Sequence, residues 1–171
     1  APPGFYMLFA LDAQGVPSAR IVLFKGFRDG GLTFYTNHDS HKGIDIAQNP
    51  NVALVFWWDK LERSVRIEGR AEKLSEEVAR EYFYSRPRYS QLGALTSKQS
   101  RVVAKREELD ARFDANIQKH EGHEVPFPTF WGGYLVRPTL IEFWQGRHGR
   151  LHDRLQYVRG NEKWRVERLE P

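Results

Sequence analysis

From Phe5 to Leu74 the chain is a succession of short β-like runs broken by turn residues, and this punctuation constrains its fold more than any single motif. Phe5 to Leu11 is followed by a turn at Asp12-Ala13-Gln14-Gly15, Ser18 to Lys25 by a turn at Asp29-Gly30-Gly31, and Leu32 to Thr36 completes a meander. Ser40 can cap a short helix running through Gln48, which Pro50 follows. Val52 to Trp58 and Val65 to Leu74 supply two more strands.

Ser75-Glu76-Glu77 starts a second helix with acidic residues in its first turn, where they complement the backbone dipole, and Pro87 limits its extent. A longer charged helix is predicted from Val102 to Lys119, with Leu109, Phe113 and Ile117 as its apolar stripe. After the connector Val125-Pro126-Phe127-Pro128, strands are predicted at Gly133 to Val136, Leu140 to Trp144, Leu151 to Val158 and Trp164 to Arg168. Many short strands without a βα alternation point to a mainly β fold, a closed or partly closed antiparallel barrel with helices packed outside it. At 171 residues, with 40% hydrophobic and 28% charged residues, the chain is expected to form one domain spanning residues 1–171.

The chain has no Cys, which excludes disulfides, thiolate metal sites and Cys nucleophiles and favours a reducing, cytoplasmic setting. No apolar run approaches the roughly 18 residues that a membrane span requires. The net charge of +4 favours anionic partners, but basic residues are interspersed with acidic ones, as in Lys105-Arg106-Glu107-Glu108, so nucleic acid is not the expected partner. The sequence opens on Ala1 without Met, and a native N-terminal segment is expected to be missing.

The densest cluster of site-like residues is Glu142-Phe143-Trp144-Gln145-Gly146 followed by Arg150-Leu151-His152-Asp153-Arg154. Strand alternation would put Arg150, His152 and Arg154 on one face, a cationic row beside an indole, suited to an anionic aromatic ligand. Exposed charges on a surface strand are the plain alternative. Arg20-Ile21-Val22-Leu23-Phe24-Lys25 is a strand with a cation at each end. Tyr35-Thr36-Asn37 leads into Ser40-His41-Lys42-Gly43, which joins hydroxyls and Lys42 to a helix start, although a Ser at that place is also an ordinary N-cap. Tyr82, Arg86 and Ser90 set a phenol, a guanidinium and a hydroxyl at four-residue intervals, all suited to a phosphate ester. His120-Glu121-Gly122-His123-Glu124 lacks the order of a helical zinc motif, so no metal site is expected. No G-x-S-x-G elbow supports a Ser nucleophile.

Taken in order, the segments Arg20 to Gly26, Phe34-Tyr35-Thr36-Asn37, Arg66-Ile67-Glu68-Gly69, Tyr82 to Gln91, Ser97-Lys98-Gln99-Ser100, Trp131-Gly132-Gly133-Tyr134 and Glu142 to Arg154 resemble the pyridoxamine 5′-phosphate oxidase family. The likeness runs from about Met7 to Pro171. It implies an FMN-binding split barrel of Greek-key antiparallel strands and a homodimer whose two subunits both contribute to each flavin site. It further implies that FMN meets Arg20, Ile21, Val22, Leu23, Phe24, Lys25, Tyr35, Thr36, His41, Lys42, Gln99, Ser100, Trp144 and Arg154. The phosphorylated vitamin B6 substrate would meet Lys25, Tyr82, Arg86, Ser90, Arg150 and His152, with Arg150 and His152 as the catalytic pair.

Departures are local: His41 stands where the family has Arg, a single ring in place of a phosphate-gripping fork, Ser64 replaces a common Gln, and Tyr84 a common His. Related flavin oxidases of phenazine biosynthesis share the barrel and the Arg-Leu-His segment but are not expected to keep the Tyr82, Arg86, Ser90 pattern. The resemblance therefore implies an FMN-dependent oxidase that turns pyridoxamine or pyridoxine 5′-phosphate into pyridoxal 5′-phosphate while reducing dioxygen to hydrogen peroxide. Two alternatives stay open, another split-barrel flavin oxidase or reductase, and a non-catalytic protein that binds FMN or pyridoxal phosphate.

Overall fold

The computed structural model describes residues 5–161 and 163–171. Eight strands lie in one sheet in the order β3-β2-β1-β4-β5-β6-β7-β8, and β6 pairs back with β3, which closes the first six into an antiparallel barrel. The strands are β1 (Phe5–Leu11), β2 (Pro17–Arg28), β3 (Gly31–Asn37), β4 (Asn51–Trp58), β5 (Arg63–Lys73), β6 (Trp131–Gln145), β7 (Asp153–Arg159) and β8 (Trp164–Leu169). The helices are α1 (His41–Gln48), α2 (Glu76–Ser85), α3 (Arg88–Thr96) and α4 (Arg106–Lys119). β1, β2 and β3 form the meander read from the turns, and β4 returns to lie beside β1, which is the Greek-key order.

Two compact units divide the chain. The first comprises Ala1–Phe34, Asp45–Glu72 and Tyr134–Pro171. Its core follows from period-2 alternation: Tyr6, Leu8 and Ala10 of β1, Val52, Leu54 and Phe56 of β4, and Tyr134 and Val136 of β6 all point inward and are buried. Each fully buried Leu or Phe contributes about 1.5–3 kcal/mol relative to an exposed one. Burial pushes the Tyr134 phenol up to about 12.

The second unit comprises Tyr35–Ile44 and Lys73–Gly133. Ala79, Phe83, Leu92, Val125, Phe127 and Trp131 form its core, with Phe113 and Ile117 of the α4 stripe packed against them. Ser75 caps α2, its side chain accepting from the Val78 N–H, as the sequence suggests.

Several boundaries differ from the sequence reading. Pro87 ends α2 but is compatible with the start of a helix, so the chain resumes as α3, which the sequence analysis did not foresee. The long charged helix begins at Arg106 rather than Val102, because Val102 is fully exposed and a helix face without packing gains little. The two strands expected around Pro138 are one continuous β6, since proline tolerates extended backbone. β7 begins at Asp153 rather than Leu151 because Gly149 and Arg150 adopt positive φ, 67° and 62°, in a tight turn.

Candidate active site

In the first unit, β2 alternates strictly: Arg20, Val22 and Phe24 lie on one side, Ile21, Leu23 and Lys25 on the other. The two strand-end cations therefore do not share a face. Arg20 donates to Ser18 Oγ at 2.8 Å and pairs with Asp45 of α1 at 3.3 Å. The outward residues continue across the sheet, because Ile21 is paired with Met7 and Met7 with Val55. Ile21 is 65% exposed, Met7 44% and Trp57 56%, an uncovered apolar strip on the outside of the barrel.

The C-terminal cluster is also in this unit. Trp144 of β6 is opposite Arg154 of β7, and its ring lies 4.6 Å from that of His152. His152 Nδ1 accepts the Arg147 backbone N–H at 3.1 Å, which leaves Nε2 as the donor in the neutral ring. Trp144, His152 and Arg154 line a cavity of about 340 Å³ together with Ser64, Arg66 and Glu142. The single-face row expected of Arg150, His152 and Arg154 is not formed, since Arg150 sits in the left-handed turn before the strand and does not line this cavity.

Glu142, 5% exposed, was quoted from the sequence as the first residue of this cluster but given no role of its own, two positions before Trp144. Its Oε1 accepts from Arg154 Nε at 2.6 Å and its Oε2 from Arg66 Nη2 at 2.7 Å. Burial pushes this carboxyl up, and the hydrogen bonds and charges of Arg154 and Arg66 more than offset that, so it titrates below the ordinary carboxylate range. An acid between the apolar Ile141 and Phe143 in a strand-like run was the available signal, because such groups are buried only when paired.

In the second unit, Tyr35 and Thr36 end β3 while Lys42 lies in the first turn of α1. Lys42 is buried and donates to Thr36 Oγ1 at 3.1 Å and to Ser40 Oγ at 3.3 Å. Thr36 in turn donates to Gln99 Oε1 at 3.0 Å, so residues 63 positions apart form one polar network. The Asn37 N–H reaches the same oxygen at 3.3 Å. Ser100 beside it has a left-handed backbone, φ 69°, and His41 is exposed at the head of α1.

An aromatic wall adjoins within the same unit. The rings of Tyr35 and Tyr82 stack at 4.0 Å, and both are nearly parallel to Trp131, at 5.5 and 6.2 Å. Arg86 lies over Trp131 with Cζ 4.8 Å from the ring centre. Arg86 Nη1 is buried and, among the described residues, has no hydrogen-bond partner. Burial lowers the pKa of this guanidinium. Ser90 stands in the first turn of α3, so the helix end expected between Tyr82 and Ser90 is a helix-to-helix corner at Pro87. Trp131 was quoted in the sequence only as part of a motif. Its place under Arg86 needs the tertiary fold to be seen.

A family model described as pyridoxamine 5′-phosphate oxidase matches residues 2–119, and one described as the pyridoxine 5′-phosphate oxidase C-terminal dimerisation region matches residues 131–171. A pyridoxine/pyridoxamine 5′-phosphate oxidase of Leptospira biflexa is 53% identical over 169 residues, covering 99% of this chain and 80% of that protein. One of Salinibacter ruber is 52% identical over 172 residues with the same coverage. Among solved structures, PhzG from Burkholderia lata in complex with tetrahydrophenazine-1-carboxylic acid superposes with a TM-score of 0.93 at 27% identity, covering 99% of this chain and 83% of that one. A pyridoxamine 5′-phosphate oxidase-related, FMN-binding protein from Nostoc punctiforme gives 0.81 at 16% identity, covering 99% and 88%.

Proposed function

The chain belongs to the pyridoxine/pyridoxamine 5′-phosphate oxidase family of oxidoreductases, and from that membership we propose that it oxidises pyridoxamine and pyridoxine 5′-phosphate to pyridoxal 5′-phosphate with FMN as cofactor. The single observation that carries the substrate assignment is Arg86, whose buried Nη1, over an aromatic wall and without a partner among the described residues, calls for an anion. A phosphate monoester meets that demand.

The residues present fit FMN. Buried Lys42 with Thr36, Ser40 and Gln99 forms a cradle of donors and acceptors suited to phosphate and ring carbonyls, and Trp144 with Arg154 offers an aromatic and a cationic border. The first part of β2, with Ser100 and His41, completes the set assigned to the cofactor. Bound FMN would supply the acceptor for a hydride equivalent from C4′ and return the electrons to dioxygen, giving peroxide. The alcohol yields the aldehyde directly, and the amine does so with uptake of water and release of ammonia.

The protein's own part is to bind, orient and move protons. Lys25 and Arg86 neutralise the substrate phosphate while Tyr82 and Ser90 donate to it. His152, oriented by the Arg147 N–H at Nδ1, presents Nε2 to the substrate ring, and Arg150 fixes the ring's exchangeable protons. No side-chain nucleophile enters.

We assign the enzyme to a homodimer in the cytoplasm. The dimerisation region matched over residues 131–171 and the uncovered strip of Ile21, Met7 and Trp57 support the pairing. A second reading, an oxidase for a non-phosphorylated aromatic acid, is favoured by the close superposition on PhzG. Arg86 and Tyr82 argue against it. The test is the visible spectrum of the purified protein followed by anaerobic pyridoxamine 5′-phosphate. Bleaching of the flavin band supports the proposal, and a colourless protein, or a flavin band that this substrate leaves untouched, overturns it.

A further inference from the structure

Glu142 is a buried carboxylate whose two oxygens are both committed to guanidinium groups. Arg66 meets it with Nη2 at 2.7 Å and Nε at 3.2 Å and reaches on to Glu68 through Nη1. Arg154 meets it with Nε at 2.6 Å and spends Nη1 on the Glu170 carbonyl at 3.1 Å. Among the described residues nothing accepts from Arg154 Nη2. Arg66, Glu142 and Arg154 line the same cavity as Trp144 and His152.

Two arginines meet the one buried carboxylate. Glu142 with Arg154 alone would be neutral, and the carboxylate would cancel the cation it holds. Arg66 supplies a second positive charge, which the half-exposed Glu68 balances in turn, so the four groups are formally neutral while the carboxylate that holds Arg154 stays hidden. Arginine has many rotamers, and two fixed acceptors remove that freedom before any ligand arrives. A cation fixed in advance stabilises developing negative charge without reorganising during the reaction.

We propose that Glu142 is a positioning residue that holds Arg154 beside Trp144 with its free edge toward the flavin, Arg66 serving as the second guanidinium that fixes the carboxylate in place. The inference rests on the reading that Arg154 borders FMN.

The decisive variant is Glu142→Gln in the holoenzyme, which keeps size and removes charge. Flavin release on dilution, read by the fluorescence of free FMN, should show an affinity about tenfold weaker. The kcat should fall by about tenfold with the KM for pyridoxamine 5′-phosphate within about twofold, because the Arg86 wall is untouched. In an Arg154→Ala background the same change should weaken flavin binding by less than about twofold, since a group acting through Arg154 has nothing left to position. Should the amide variant not fold, Glu142→Asp, which keeps the charge but cannot reach both guanidinium groups, is read against the same thresholds. Parental flavin affinity and kcat in the variant, or an effect that adds in full to Arg154→Ala, overturns the role. A parent that holds no flavin, or is not bleached by substrate, sinks the functional reading instead. A parent that turns over normally beside an unaffected Glu142 variant sinks this inference alone.

Discussion

The Arg86 guanidinium carbon lies 4.8 Å over the Trp131 ring while its buried Nη1 meets no acceptor among the described residues. The indole holds the cation by its face, and the N–H edge is left for a ligand.

Arg86→Ala should therefore act on binding rather than on chemistry. Loss of a charge-assisted hydrogen bond costs about 1.5–3 kcal/mol, and each 1.4 kcal/mol is tenfold. The KM for pyridoxamine 5′-phosphate should rise about 10- to 100-fold with kcat within a few-fold, measured by steady-state peroxide formation. Arg86→Lys should recover only part of this, because an ammonium cannot lie flat on Trp131 and donate along its edge. An unchanged KM in Arg86→Ala would remove this residue from the phosphate site.

Arg150 separates side-chain function from backbone conformation. Its φ of 62° disfavours any residue with a Cβ, so Arg150→Gly should fold with a Tm equal to or above the parent's. If the guanidinium orients the substrate ring, the same variant should lose at least about tenfold in kcat while retaining flavin, as should Arg150→Ala. A glycine variant with the parent's kcat would leave Arg150 with no catalytic part.

The outward row Ile21, Met7, Val55 is apolar where a solvated barrel would carry polar side chains. Ile21→Asp places a charge in the middle of it. Sedimentation equilibrium should show a dissociation constant raised at least about tenfold for the variant dimer, since an unpaired buried charge is strongly unfavourable. A variant that remains fully dimeric would place the subunit contact elsewhere.

What was legible in the sequence depended on how local the signal was. The meander and barrel were readable because turn residues such as Gly15 and Gly30, with φ of 81° and 74°, mark hairpins by their own conformational needs. Thr36, Lys42 and Tyr82 could be singled out because each lies in a short motif. The Thr36 to Gln99 bond, the stacking of Tyr82 on Tyr35 and the seat of Arg86 on Trp131 join distant parts of the chain, which no local pattern reveals. Arg150 was misplaced for a related reason: alternation was extended through a segment where two left-handed residues interrupt the strand.

Gly43 tests how the Lys42 cradle is held. In a helix interior Gly→Ala ordinarily gains up to about 1 kcal/mol. Here an added Cβ would meet the His38 carbonyl oxygen at 2.1 Å, a backbone atom that cannot swing away. The clash should win, costing about 1–3 kcal/mol, equivalent to a Tm lower by roughly 3–10 °C in a domain of this size. Differential scanning calorimetry checks the sign, and a Tm at or above the parent's would contradict this account of the turn.

The acid limb of stability should carry the signature of Glu142. Its carboxyl titrates below the ordinary range in the folded chain because Arg154 and Arg66 hold its charged form against the opposing effect of burial. In the unfolded chain it titrates near the ordinary value, about 4.3. Between the two values the unfolded state binds the extra proton, so stability rises with pH there. The contribution is complete above the unfolded value and is lost as pH falls through the folded one. The guanidinium partners are 29% and 39% exposed, so solvent screens the pair and the gain at neutral pH is about 1–2 kcal/mol rather than that of a sealed ion pair. Urea midpoints of the parent and Glu142→Gln should therefore differ most above about pH 5 and converge as pH falls below the ordinary carboxylate range, the variant lacking this part of the slope. Parallel curves over that range would mean that the carboxylate is not ionised in the folded protein and that Arg66 and Arg154 are held by something else.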